Sequence, residues 1–114
     1  MKLRIRGNSI RFRLTRSEVE SFATQAMIEE VVGLSPQNFS YALEKVSAQN
    51  LSVTFENGKI SVFVPIIIAN QWTNGEQVSM EGNDGGLRIL IEKDFACLNP
   101  RKDELDNFPH PLTK

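Results

Sequence analysis

The sequence predicts an α+β fold in which two ββαββ units supply about eight antiparallel strands to one curved sheet or barrel, with two helices packed against it. Apolar residues alternate with polar ones over residues 3–14 and 51–64, and a turn dipeptide interrupts each stretch. Each stretch precedes a helical pattern. The chain also resembles itself at a displacement of about fifty residues, which we interpret as an internal duplication.

Each unit begins with a predicted hairpin, turning at Gly7-Asn8 in the first and at Asn57-Gly58 in the second. Glycine in the first central position favours a type II′ turn, whereas Asn-Gly favours type I′. Two-residue turns fix the register, so Leu3 is expected to face Phe12. The equivalent spacing in the second hairpin predicts the equivalent register.

Both helices have recognisable start signals. Thr15-Arg16-Ser17-Glu18 is a capping box, in which the hydroxyl and the carboxylate bind free backbone N–H groups at the helix start. Pro65 suits the first position of the second helix, because its missing N–H would have no partner there. The core side of these helices is predicted to carry Phe22 and Trp72, which align in the duplication.

The remaining strands and the domain limits follow from the same patterns. Strands are predicted at 27–32, 39–46, 77–80 and 87–93, with turn residues at 33–38 and 81–86. We therefore expect a single α+β domain over residues 1–98, with repeats at 1–48 and 49–98. Residues 99–114 are predicted to be an irregular acidic tail that contains proline.

Composition excludes several classes of protein. With 40% hydrophobic residues, five Pro and seven Gly, the chain is neither disordered nor collagen-like. A lone cysteine, Cys97, cannot form an internal disulfide, which favours a reducing compartment. The apolar run at 62–69 is too short to cross a membrane, and residues 1–6 do not form a signal peptide. These features predict a cytoplasmic protein that does not bind membranes.

Charge is concentrated at the start of the chain, although the net charge is only -1. Residues 1–16 contain six basic side chains and no acid. The predicted register places Arg4 opposite Arg11 and Lys2 opposite Arg13, and like charges across a ladder cost up to about 1 kcal/mol per pair. A negative group should therefore compensate them. The predicted ligand-binding residues are Lys2, Arg4, Arg6, Arg11 and Arg13.

Three kinds of compensation are open. Carboxylates on neighbouring strands could form surface ion pairs, the candidates being Glu29, Glu30, Glu44 and Glu92. A small phosphate- or carboxylate-bearing ligand could bind the guanidinium groups instead. Extended nucleic acid is the least favoured, because the chain is acidic overall and the charged strand faces carry no aromatic residues for base stacking.

A second possible site is the isoleucine-rich start of the second helix. Three consecutive isoleucines cannot all face one core, so part of this segment needs another cover. The alternative function is therefore a structural or adaptor protein that forms a homodimer. The predicted interface residues are Ile66, Ile67 and Ile68.

No catalytic residue, metal ligand or cofactor is predicted. Cys97 and His110 are the only soft metal ligands, and with the acids at 103–106 they match no known zinc spacing. The glycines at 75–86 form no phosphate-binding motif ahead of a helix. These observations favour a non-catalytic protein.

The opening Met1-Lys2-x-Arg4-Ile5-x-Gly7-Asn8-Ser9-Ile10-Arg11-x-Arg13-Leu14-Thr15 resembles a family of short bacterial proteins catalogued as a domain of unknown function. The resemblance continues through Trp72 to the stretch at 94–101. It implies a bacterial origin and no particular activity.

The architecture is also similar to that of the CYTH-type triphosphate-tunnel proteins, which carry an E-x-E-x-K strand near the N-terminus. The corresponding strand here reads Lys2-x-Arg4-x-Arg6 and lacks both carboxylates. This similarity implies a positively lined cavity, and a divergent CYTH-like phosphohydrolase is the third hypothesis.

Overall fold

The structure, a computed structural model, describes residues 1–95, so the tail at 99–114 lies outside the described residues. It contains the eight strands and two helices of the predicted α+β fold. In chain order these are β1 (Lys2–Arg6), β2 (Ser9–Leu14), α1 (Arg16–Gln25), β3 (Met27–Val32), β4 (Phe39–Val46), β5 (Ser52–Glu56), β6 (Lys59–Pro65), α2 (Ile66–Asn74), β7 (Ser79–Asp84) and β8 (Leu87–Lys93).

The two leading hairpins have the predicted turns and register. Leu3 faces Phe12, and Val53 faces Val62. At the first turn only the glycine has a positive φ, 54° at Gly7, as a type II′ turn requires. At Asn57-Gly58 both residues do, at 52° and 74°, as in type I′. The turn dipeptides therefore set the hairpin geometry locally.

The pairing between hairpins corrects the prediction of one curved sheet or barrel with only antiparallel strands. The described strands form two separate sheets, a first sheet ordered β1-β2-β8-β7 and a second ordered β3-β4-β6-β5. Their central pairs, β2 with β8 and β4 with β6, are parallel. Each sheet thus joins a hairpin from the first ββαββ run to one from the second. Because the two adjoining strands belong to different hairpins, they can run parallel.

Strand β7 also differs from the prediction. The sequence places a strand at 77–80 and a loop at 81–86, whereas β7 covers Ser79–Asp84 and only Gly85-Gly86 form the turn, both at positive φ. Glycine, asparagine and aspartate are poor strand formers. Pairing with β8 along the whole of β7 overrides that local preference.

The first helix starts where its signal places it, and the second starts one residue later than predicted. Thr15 caps α1: its side chain accepts from the Glu18 amide, and Glu18 accepts from the Thr15 amide at 2.8 Å. Pro65 is the residue before α2 rather than its first residue, and no side chain caps that helix. Within residues 1–95 the two helices have ten and nine residues, and neither is long and apolar enough to cross a bilayer.

The core lies between the inner faces of the two sheets and the helices. Every second residue of β2, β6 and β8 points into it, and the aligned positions Phe22 and Trp72 are fully buried. Trp72 also donates from Nε1 to the Val78 carbonyl at 3.1 Å. The largest fully buried side chains are Trp72, Phe12, Phe22, Leu14, Leu43, Ile89, Ile91, Val62 and Val64.

Candidate functional site

The outward side of the first hairpin gathers all five predicted ligand-binding residues. In β1 and β2, apolar residues such as Phe12 and Leu14 point into the core, so the alternating side chains between them point outward. We call this surface the basic face. It consists of Lys2, Arg4, Arg6, Arg11 and Arg13.

Like charges face each other across this hairpin, as the register predicts. Lys2 lies opposite Arg13, and Arg4 lies opposite Arg11. Directly opposed like charges destabilise a ladder by up to about 1 kcal/mol per pair. The structure shows which of these charges are compensated within the described residues.

Glu92 on β8 compensates the inner strand of the hairpin. Its Oε1 lies 3.3 Å from Arg11 Nε and 3.5 Å from Arg13 Nη2. Asp94, just after β8, lies at 3.9 Å from Lys2 Nζ. Of the four carboxylates that the sequence offered as counter-ions, Glu92 is the one that contacts the basic face, and Asp94 adds a contact that the sequence did not indicate.

The other three acids considered in the sequence have different roles. Glu29 pairs with Lys59 on the second sheet at 3.3 Å, and Glu30 accepts from the Met1 amine at 3.1 Å. Glu44 lies on β4, also in the second sheet. Within residues 1–95, none of these three acids forms an ion pair with the basic face.

Arg4 and Arg6 are the part of the basic face that no carboxylate of the described residues neutralises. Both side chains are exposed, and neither forms an ion pair with a carboxylate of residues 1–95. Among the described strands β1 is at the edge of its sheet and has β2 as its one neighbour, and β2 presents arginines. An anion from solution could bind here without displacing any carboxylate of residues 1–95.

Two shallow hollows lie on the basic face. The turn hollow, of about 100 Å³, is next to the Gly7-Asn8 turn and is lined by Arg4, Arg6, Ser9 and Arg11. The N-terminal hollow, of about 210 Å³, is lined by Lys2, Leu3, Arg4, Arg11 and Arg13.

Hydrogen bonds hold the turn end of this face in place. Ser9 Oγ donates to the Arg6 carbonyl at 2.7 Å, which links the residues on either side of the turn. Asn8 Nδ2 donates to the Gly86 carbonyl at 2.9 Å, and the Arg88 amide donates to the Asn8 carbonyl at 3.0 Å. The two hairpin turns of the first sheet are thus tied together beside the turn hollow.

The isoleucine-rich helix start is only partly available as an interface. Ile67 is 72% exposed and Ile66 is 44% exposed. Ile68 is half-buried and packs against the core. The structure therefore leaves two of the three predicted interface residues facing outward.

A larger hollow, of about 580 Å³, lies between α1, α2 and the end of β8. It brings together residues distant in the chain, so no local sequence signal indicated it. Lys93 donates there to the Gly75 carbonyl at 3.0 Å and lies over the Trp72 ring. The hollow is lined by Leu14, Arg16, Val19, Glu20, Thr73, Lys93, Asp94 and Phe95.

A separate charged cluster joins the start of β1 to α1 and β3. The Met1 amine donates to the carboxylates of Glu18 and Glu30, and the Tyr41 hydroxyl donates to the Met1 carbonyl at 3.0 Å. Burial opposes ionisation of Glu18, but hydrogen bonds from the Met1 amine and from Thr15 lower its pKa overall. Burial likewise opposes the charged Met1 amine, and the two carboxylates raise its pKa overall.

The same cluster affects Tyr41. Burial, together with the negative charges of Glu30 and Glu18, raises the pKa of its hydroxyl. The protonated hydroxyl is therefore favoured, in keeping with its hydrogen bond to the Met1 carbonyl.

The soft metal ligands considered in the sequence, Cys97 and His110, lie outside the described residues. Within residues 1–95, no three side chains of His, Cys, Asp or Glu lie together as a metal site would need.

Comparison with known proteins gives a family but no activity. Searches of curated proteins and of solved structures found no match. A family model described as a family of unknown function, DUF7009, matches residues 1–112. The match covers almost the whole chain, and the protein therefore belongs to this family of unknown function.

Proposed function

We propose that this chain is a non-catalytic protein of the bacterial cytoplasm that binds a small phosphate- or carboxylate-bearing ligand on the basic face. The observation that carries the proposal is the pair Arg4 and Arg6, which are exposed and have no described carboxylate partner. The turn hollow between these arginines and Arg11 is the proposed binding position.

Arginine suits this task because its planar guanidinium group presents several N–H donors in a fixed arrangement that matches carboxylate and phosphate oxygens. Arg4 and Arg11 lie opposite each other on adjacent strands, so an anion between them would receive hydrogen bonds from both sides. A bound anion would also relieve the repulsion between the two guanidinium groups.

A small ligand fits this surface better than nucleic acid. The chain has a net charge of -1, so the surface outside the basic face would repel a long polyanion. The described outward residues of the first sheet include no aromatic side chain on which a base could stack. The surface therefore supports binding of an anionic group rather than readout of a base sequence.

Thermal unfolding with added anions tests the proposal. We expect inorganic phosphate and tripolyphosphate to raise the Tm of the wild-type protein above that in sodium chloride of the same ionic strength. The double variant Arg4→Ala, Arg6→Ala should lose this shift, while the control Arg16→Ala, which removes an exposed arginine from α1, should keep it. Absence of a shift in the wild type, or an equal shift in the double variant, would reject the proposal.

The same samples address the phosphohydrolase hypothesis. Release of inorganic phosphate from tripolyphosphate with added Mg²⁺, measured against the double variant, would favour a divergent CYTH-like enzyme over a binding protein. We expect the tripolyphosphate to remain intact.

A homodimer is the second candidate function, and the exposure of Ile66 and Ile67 at the start of α2 favours it. Symmetric contact between two copies would remove these side chains from water. If this alternative is correct, sedimentation velocity shows a dimer for the wild type and a monomer for Ile67→Glu. A monomeric wild type at high concentration would reject the dimer and leave the anion proposal unaffected.

A further inference from the structure

The two hollows of the basic face are adjacent and share residues. Arg4 and Arg11 line both, and they lie opposite each other between the two positions. Arg6 and Ser9 belong only to the turn hollow, whereas Lys2 and Arg13 belong only to the N-terminal hollow. The basic face is therefore two neighbouring cationic positions separated by one shared arginine pair.

Strand geometry sets the distance between these positions. Residues on one face of a strand repeat every second residue, and each residue advances the strand by about 3.3 Å. The turn hollow is centred between the Arg6 and Arg4 rows, and the N-terminal hollow between the Arg4 and Lys2 rows. Their centres are therefore roughly 7 Å apart along the hairpin.

We propose that the ligand of the basic face carries two anionic groups roughly 7 Å apart, one for each hollow, with Arg4 and Arg11 contacting both. This inference rests on the proposed anion-binding function and deepens it. A bisphosphorylated small molecule has this chemistry, while inorganic phosphate can fill only one position at a time.

The two positions are not equivalent. In the turn hollow Glu92 contacts only the shared Arg11, and no described carboxylate contacts Arg4 or Arg6, so the first anionic group binds there. In the N-terminal hollow Glu92 already contacts Arg11 and Arg13, and Asp94 contacts Lys2. The second anionic group therefore competes with protein carboxylates, which makes binding there depend on attachment to the first group.

Titration calorimetry with a matched pair of probes tests this inference: fructose 1,6-bisphosphate and fructose 6-phosphate, at one fixed ionic strength. For the wild type we expect the bisphosphate to bind at least about tenfold more tightly than the monophosphate. Arg13→Ala should reduce the ratio toward one by weakening only the bisphosphate. Arg6→Ala should weaken both probes, because the monophosphate uses the turn hollow.

Arg16→Ala is the matched control, since it removes one exposed arginine from α1 and should leave both affinities unchanged. A general attraction between charges predicts a different result: Arg13→Ala would weaken both probes in proportion to their charge. Thermal unfolding of each variant verifies that it is folded, as expected for changes on an outward strand face.

The outcomes separate the two levels of the proposal. Equal affinity of the wild type for both probes, with both lost in Arg4→Ala, would overturn the two-group ligand and retain a single anion site. Failure of both probes to bind, together with no effect of phosphate on Tm, would reject the proposed function itself. If Arg13→Ala left the ratio of the bisphosphate and monophosphate affinities unchanged, the two-group ligand would also be overturned.

Discussion

The two sheets are built to the same plan on the inside and differ on the outside. Each contains two hairpins joined by a central parallel pair, and both contribute apolar side chains to one core. The outward charged residues of the first sheet are Lys2, Arg4, Arg6, Arg11, Arg13 and Arg88, against Glu81 and Glu92. Those of the second sheet are Glu29, Glu44 and Glu56, against Lys59.

Equivalent positions make this difference specific. Arg4 and Arg6 in β1 have the places that Thr54 and Glu56 have in β5. The fold is compatible with either set, because side chains on this face are not needed to fill the core. The positive charge of the first sheet is therefore not a requirement of the architecture, which supports a role in binding.

The largest expected effects concern the shared interior, where the two halves should behave alike. Phe22 in α1 and Trp72 in α2 are both fully buried. Truncating either to alanine should reduce the free energy of unfolding by about 3–5 kcal/mol. Trp72→Ala should lie at the upper end, because it also loses the hydrogen bond to Val78.

Urea denaturation measures both losses. If Trp72→Ala does not fold, Trp72→Phe, which keeps much of the side-chain volume, is the variant to measure in its place. A loss below about 1 kcal/mol at only one of the two positions would contradict the equivalence of the interiors.

The hairpin turns should respond differently to the same substitution. An alanine at either Gly7 or Gly58 is strained by the positive φ, at a cost of about 1–2 kcal/mol. At Gly58 the new Cβ would also lie 2.8 Å from the Asn38 carbonyl oxygen, whereas nothing lies within 4 Å at Gly7. Gly58→Ala should therefore be the more destabilising in thermal unfolding, and equal losses would contradict the crowding at that turn.

The capping box of α1 predicts a pH dependence of stability that the cap of α2 does not. Glu18 closes the capping box of α1, while Ile68 has the equivalent place in α2. Glu18→Gln removes the negative charge that lies at the start of α1 and pairs with the Met1 amine, and should cost about 1 kcal/mol of stability at neutral pH. Because the folded state lowers the pKa of Glu18, its contribution is present above the usual value of 4.5 and is lost as the pH falls through the lowered value.

Urea denaturation at pH 7 and at pH 3 measures this contribution. The difference between the wild type and Glu18→Gln should shrink at the lower pH. Glu20→Gln, at an exposed position on the same helix, is the control and should have little effect at either pH. If the stability difference between the wild type and Glu18→Gln grew on acidification, it would contradict a lowered pKa for Glu18.

The smallest expected effect concerns the counter-ion of the basic face. Glu92→Gln removes the carboxylate shared by Arg11 and Arg13 and should lower stability by less than about 1 kcal/mol. The same change should tighten binding of fructose 1,6-bisphosphate severalfold, because the second anionic group no longer competes with the Glu92 carboxylate for Arg11 and Arg13. Glu44→Gln, at the equivalent place in the second sheet, is the control, and an equal gain there would contradict local competition.

Much of the local structure was predictable because it depends on neighbours in the chain. The predicted strands at 27–32, 39–46 and 87–93 match β3, β4 and β8. Period-two alternation and tight turns fix a hairpin's register without help from the rest of the molecule. The limits of β7 were missed because its last residues adopt strand geometry only by pairing with β8.

The candidate site was predictable only in part. Alternation alone places Lys2, Arg4 and Arg6 on one face, so the composition of the basic face follows from sequence. The division of this face into arginines that Glu92 contacts and arginines that no described carboxylate contacts depends on β8 lying beside β2. The sequence offered Glu92 as one of four possible counter-ions and had no signal for Asp94.

The amino-acid order by itself determined the hairpins, their registers, the capped first helix and the side of β1 and β2 on which the positive charges lie, because each depends on residues a few places apart. Only the tertiary structure decided which hairpins share a sheet, since that choice depends on burying all the apolar faces at once. That choice brings Glu92 to Arg11 and Arg13 and leaves Arg4 and Arg6 facing solvent.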